Sequence, residues 1–255
     1  MVAAPRVVGI GASAGGLEAL ERFFAAVPDA MPLAFVVVQH LSPDHKSLMP
    51  EILGKSTRLK VAQAEDGQLL EAHHVYLVPP RKNLSVEGGC LRFHDRAGPH
   101  VINLPVDLLF HSLADEYGDK AIGVVLSGTG SDGRAGVLAI KRAGGLVLAQ
   151  DPVTARFDGM PLAALSSGLV DASLAPEAMP DEIARLLAGG ARGARHVVGD
   201  DVEVGLERIH AAVRVASGLD FSDYKSSTVL RRTERRMGLL GLSSLDEYAR
   251  RLEAD

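Results

Sequence analysis

Four short apolar runs, RVVGIG, LAFVVVQH, KAIGVVLSG and GGLVLAQ, constrain this chain more than any other feature. Each is almost continuously aliphatic and ends in small or polar residues, the pattern of a strand buried on both faces of a parallel sheet. Between them, Leu17 to Ala26, Val106 to Tyr117 and Gly133 to Ala143 carry apolar residues at helical spacing. The alternation predicts an α/β domain over residues 1–188, with a doubly wound, mostly parallel sheet. From His74 to His94 the runs HVYLVPP, NLSV and CLRF are short and separated by Pro, Gly and charges. They predict an antiparallel meander on one edge. Residues 189–202 have no apolar period and read as a linker. In 203–255, Val204, Ile209, Val213, Val229, Leu230, Met237, Leu245, Tyr248 and Leu252 predict a small all-helical domain, with Asp223 and Ser243 as N-caps.

A chain of 255 residues that is 47% hydrophobic can bury one large core and a smaller one, which excludes a disordered scaffold. The longest apolar stretch, Met31 to Val38, falls far short of the roughly 18 to 20 residues a membrane span needs. No signal-peptide pattern opens the chain, so a cytoplasmic location without membrane insertion is expected. The single cysteine, Cys90, rules out an internal disulfide and reads as a small buried side chain. A formal charge of −5 gives no field favouring nucleic acid.

The chemistry gathers at strand ends. The first strand runs into Gly9-Ile10-Gly11-Ala12-Ser13-Ala14-Gly15-Gly16 and then into a helix. Read as G-x-G-x-x-A, this is a dinucleotide fingerprint. Read as G-x-S-x-G, it is a nucleophile elbow presenting Ser13. A plain glycine turn for close helix packing is the third reading. The second strand ends in Gln39-His40, where a nicotinamide fold needs an acid for the ribose. Histidine there suits a general base. The third strand leads into Gly128-Thr129-Gly130-Ser131-Asp132-Gly133, where a phosphate would meet the Asp132 carboxylate at a helix N-terminus. That carboxylate can instead orient the His40 ring or cap the helix beginning at Gly133. Carboxyl ends of neighbouring parallel strands converge on one crevice, so Ser13, His40 and Asp132 form a candidate triad. Ser131 is a rival nucleophile without the elbow. His45, His73, His74 and His111 lack a compact ligand pattern, and neither metal nor cofactor is expected.

At these residues the sequence resembles the CheB-type protein-glutamate methylesterases. GIGASAGG, VVVQH, VDLLFHSLA, VVLSGTGSDG and AQDPVTARFDGMP match the family's blocks in order over about 180 residues. The resemblance places the catalytic serine, histidine and aspartate on Ser13, His40 and Asp132. It implies hydrolysis of γ-glutamyl methyl esters on the cytoplasmic helices of chemoreceptors, with deamidation of particular glutamines. Thr129 and Gly130 belong to the loop expected to hold the oxyanion, and Arg156, Phe157, Met160 and Pro161 lie in a loop the family places near the substrate. Many members have Thr in place of Ala14 and Met in place of Thr129. The best-known members also carry an N-terminal receiver domain; this chain begins about five residues before its first strand, so no attached receiver is expected.

The blocks DFSDYKSSTVLRRTERRM and LDEYARRL resemble the N-terminal helical domain of CheR-type methyltransferases. There Lys225, Arg231, Arg232, Arg235 and Arg236 face Glu234 on a basic helix, which the resemblance assigns to docking on acidic receptor helices. A solvated basic face is the plain reading. The methyltransferase catalytic domain is not among these residues. The expected activity is therefore that of a carboxylic ester hydrolase in chemotaxis signalling. The alternative is a receptor-binding scaffold with an idle triad.

Overall fold

A computed structural model describes residues 5–29, 31–40, 48–96, 102–189 and, further on, 206, 208–214, 233, 236–237 and 245–254. The elements in chain order are β1 (Arg6–Ala12), α1 (Gly16–Ala25), β2 (Leu33–Gln39), α2 (Met49–Ser56), β3 (Lys60–Gln63) and β4 (His74–Leu77). Next come β5 (Lys82–Glu87), β6 (Cys90–Asp95), α3 (Pro105–Tyr117), β7 (Ile122–Val125), α4 (Arg134–Arg142) and β8 (Leu146–Gln150). The last are α5 (Gly159–Leu165), β9 (Ala172–Leu174), α6 (Met179–Leu187) and α7 (Leu245–Ala254).

Seven strands form one sheet in the order β3-β4-β2-β1-β7-β8-β9, and every adjacent pair is parallel. All four runs read from the sequence are central strands: β1, β2, β7 and β8. Side chains alternate between two cores. Val8, Ile10 and Ala12 of β1 join Leu33, Phe35 and Val37 of β2 against α1, α2 and α6. Val7, Ala34, Val36 and Val38 face the other way, towards α3, α4 and α5. In the first core Phe23, Phe24 and Phe35 meet edge to face, with centroids 5.2 to 6.1 Å apart; such pairs add about 0.5–1.5 kcal/mol each beyond burial.

The antiparallel element is the β5–β6 hairpin, a two-stranded sheet of its own. Its Leu84, Val86 and Leu91 enter the α3-side core. His74–Leu77 differs from its reading as part of the meander: it pairs parallel to β2 and β3. Val75, Tyr76 and Leu77 are all buried, as a two-sided strand requires.

Gly9 and Gly11 admit α3 rather than a pyrophosphate. A Cβ on Gly11 would lie 2.3 Å from Val106 Cγ1, and one on Gly9 would lie 2.5 Å from Leu113 Cδ1. The chain leaves β1 towards β2 on one side and later returns to β7 on the other. This makes the carboxyl ends of β1 and β7 a topological switch point, where ligands bind in such sheets.

The chain divides into two compact units, Met1–Gly193 and Ala194–Asp255. In the second, Ile209, Met237, Tyr248 and Ala249 form a small core, and Arg208 pairs with Glu253 at 2.7 Å. Val204, Val229, Leu230, Asp223 and Ser243, and the linker beyond residue 189, lie outside the described residues. Among the described residues no helix is long and apolar enough to cross a membrane.

Candidate active site

Ser13 directly follows β1, and its carbonyl accepts the Gly16 amide at 3.0 Å to close the turn into α1. The turn's left-handed residue is Gly15, with φ of 72°, whereas Ser13 has no positive φ. β1 and β2 run in register from Arg6↔Leu33 to Ala12↔Gln39, and the His40 amide donates to the Ala12 carbonyl at 3.2 Å. Ser13 and His40 are thus the next residues along two paired strands, whose backbones lie about 4.8 Å apart. Ser13 is nearly buried, whereas the His40 side chain is 32% exposed, so the imidazole faces the crevice.

Asp132, only 3% exposed, sits in the turn between β7 and α4. His40 Nε2 lies 2.9 Å from Asp132 Oδ2. The same oxygen accepts the Val106 amide at 3.0 Å, and Oδ1 accepts the Asp107 amide at 3.0 Å. Both amides belong to the first turn of α3, where unpaired N–H groups and the helix dipole favour an anion. The carboxylate is thereby aimed, and with Nε2 committed to it, Nδ1 is the ring nitrogen left for proton transfer. Ser13 Oγ makes no hydrogen bond to His40 among the described residues.

The third strand end is tied to the first. The Ser13 amide donates to the Ser127 carbonyl at 3.0 Å, and Ser127 Oγ donates to the Ala14 carbonyl at 2.9 Å. The Phe157 amide donates to Ser127 Oγ at 3.0 Å, and buried Gln150 accepts the Ser127 amide at 2.8 Å. One serine therefore joins the Ser13 turn to the loop after β8. That loop is held further by the Gly128 amide on the Phe157 carbonyl and the Met160 amide on the Gly128 carbonyl, both at 2.9 Å.

These bonds bear on where an oxyanion could lie. Neither the Ser13 nor the Gly128 amide is free, while those of Ala14 and Thr129 donate to no acceptor among the described residues. Thr129 and Gly130 are exposed on the rim. Met160 is fully buried: a Cβ on Gly128 would meet its Sδ at 2.2 Å and Ser13 Cβ at 2.9 Å. It supports the floor of the site. Arg156 and Phe157 are exposed, with the guanidinium 6.0 Å from the ring centroid. Arg156 borders a cleft of about 240 Å³, with Gly15, Glu18, Arg22, Gln150 and Thr154.

The remaining sequence candidates are placed elsewhere. His74 Nδ1 bonds the Ala72 carbonyl at 2.9 Å and its ring stacks on Tyr76. Cys90 is a half-buried free thiol at the start of β6, more exposed than its apolar reading expected. Ser131 is exposed, and Arg236 is an exposed helical residue. His45, Lys225, Arg231, Arg232, Glu234 and Arg235 lie outside the described residues. Sequence reading missed Ser127, Gln150 and the amides of Val106 and Asp107. Ser127 and Gln150 ended apolar runs like ordinary strand termini. Pro105, a favoured first helical residue, was the one signal that a helix N-terminus stood ready for a carboxylate.

The family model described as CheB methylesterase matches residues 8–183, and that described as CheR methyltransferase, all-alpha domain, matches 205–255. The crystal structure of the Thermotoga maritima CheB methylesterase catalytic domain superposes with a TM-score of 0.65 at 31% identity, covering 71% of this chain and 98% of that one. The protein-glutamate methylesterase/protein-glutamine glutaminase 3 of Anaeromyxobacter dehalogenans is 40% identical over 70% of this chain and 53% of its own length. A 104.1 kDa protein in the hypE 3' region of Rhodobacter capsulatus is 40% identical over 81% of this chain and 24% of its own length. The chain thus spans from about a quarter to little more than half the length of these full-length relatives.

Proposed function

This chain belongs to the CheB methylesterase family, and from that premise we propose that it hydrolyses glutamate γ-methyl esters on chemoreceptor cytoplasmic helices through Ser13, His40 and Asp132. The observation that carries the reading is the His40 Nε2–Asp132 Oδ2 contact of 2.9 Å on the strand next to Ser13. Ser13 Oγ attacks the ester carbonyl carbon while His40 Nδ1 takes its proton, and Asp132 stabilises the imidazolium. The tetrahedral oxyanion lies against the amides of Ala14 and Thr129; one such donor is typically worth about 3 to 4 kcal/mol. Collapse expels methanol, protonated by His40. Water then attacks the acyl-enzyme, His40 takes its proton, and Ser13 leaves with that proton restored. The product is a glutamate carboxylate. The same steps on a carboxamide release ammonia, which accounts for a glutaminase activity on the same triad.

The location in this reading is the cytoplasm, and residues 203–255 dock on the receptor through Arg231, Arg232, Arg235 and Arg236. Residues 1–188 are the catalytic domain and 189–202 the linker. The Ser13 hydroxyl, which makes no hydrogen bond to His40, favours the second reading, an idle triad on a receptor-binding scaffold; catalytic hydrogen bonds, however, often tighten only once substrate is bound. Methanol release from a methylated receptor cytoplasmic fragment separates the two. Release that falls about a thousandfold or more in Ser13→Ala is the expected result. Equal release from parent and variant sinks Ser13 as nucleophile, and no release from the parent supports the scaffold.

A further inference from the structure

Asp107, an acid the reaction does not use, sits in the first turn of α3 and is 9% exposed. Its backbone amide donates to Asp132 Oδ1, while its own Oδ1 accepts the Gly136 amide in the first turn of α4 at 2.7 Å. Asp132, just before α4, in turn binds two amides of α3. Each helix start is therefore held by an acid of the other. We propose that Asp107 is a positioning residue of the active site: its carboxylate locks the first turn of α4, completing a reciprocal clasp that fixes the Asp132–His40 pair. The proposal rests on the triad assignment above.

The close approach is built into the sequence. A Cβ on Gly136 would lie 2.4 Å from Phe110 Cβ, and one on Gly133 would lie 3.0 Å from Val106 Cγ1. Hydrogen at Gly136 lets the α4 start lie this close to α3. Capping alone does not explain the choice of acid, because Asn or Ser caps a helix without burying a charge. Burial first, and then the neighbouring Asp132, push the Asp107 carboxyl above its ordinary range, against the Gly136 and Gly133 amides and His111, which favour the ionised form. Asp132 and His111 are the titratable groups acting on it. Two buried acids side by side are unfavourable for folding. The arrangement gains a role if the second charge, behind Asp132, adds to the potential that stabilises the His40 imidazolium.

The test is an NMR titration of the His40 ring in the full chain and in Asp107→Asn, which needs no substrate. The expected midpoint falls in the variant, because the negative charge behind Asp132 is gone. On methylated receptor fragment, kcat falls about three- to tenfold with KM unchanged, since Asp107 touches no substrate. An unchanged His40 midpoint in a folded variant overturns the proposal. If the variant does not fold, the parent decides: the Gly136 amide and the His40 ring must share a step as Asp107 protonates, and its absence overturns the clasp. Methanol release unaffected by Ser13→Ala overturns Ser13 as nucleophile alone, because the ring titration is read independently of it.

Discussion

The Asp132 carboxylate takes two α3 amides and one imidazole nitrogen, so its charge is solvated by the fold rather than by water. Asp107 is less well served, and the difference has a consequence for stability. Its folded-state proton affinity is raised above the ordinary carboxyl value of 3.8. For an acid shifted in this direction, folded and unfolded chains are equally protonated well below that value. The penalty grows as pH rises from the ordinary value through the raised folded one. Asp107→Asn removes it. Thermal melts should therefore place the variant at or above its parent at pH 7, with the gap closing towards pH 4. A variant that melts lower at pH 7 would mean that the charged bond to Gly136 outweighs the burial cost. Greater stability with slower turnover is the expected mark of a residue kept for the site.

At the scale of elements, the glycines of β1 set how tightly α3 can lie on the sheet. Gly11→Ala drives a Cβ into Val106, whose amide is one of the two on Asp132. Overpacking of this kind costs about 1–3 kcal/mol, which a thermal melt reads directly, and it should displace the α3 amides from Asp132 as well. A melting point equal to the parent's would show that α3 shifts without strain. The four central strands were legible because continuous apolar runs have few other ways to bury both faces. β3 was not, since Lys60 and Gln63 are exposed and its apolar signal is two residues long. Ser13, His40 and Asp132 were legible as polar residues at the ends of buried runs. The donors that hold them were not, because a backbone amide has no letter in a sequence. Ser127, Gln150 and Asp107 act by what they touch across more than twenty residues of chain, and that only the assembled sheet reveals.

At the scale of the molecule, Ser13, His40, Asp132, the Asp107 clasp and the Ser127 bridge all belong to the first compact unit, Met1–Gly193. A chain ending at residue 193 should release methanol from a soluble receptor fragment within about twofold of the full chain, in an assay with both at equal concentration. A loss beyond tenfold would show that residues 194–255 contribute to substrate capture. Their small core is near the size at which a domain is only marginally stable alone. Within the first unit, Val8 of the earliest strand pairs with Ile122, and Ala14 is held by Ser127. Ser13 thus directly follows the first strand of the sheet, yet its surroundings come from strands and loops more than a hundred residues further along the chain. Until β7, β8 and the Phe157 loop exist, Ser13 is an ordinary alcohol on an unfinished chain. A half-melted sheet parts Ser13 from these neighbours, so the site exists only when β1, β7 and the Phe157 loop are assembled.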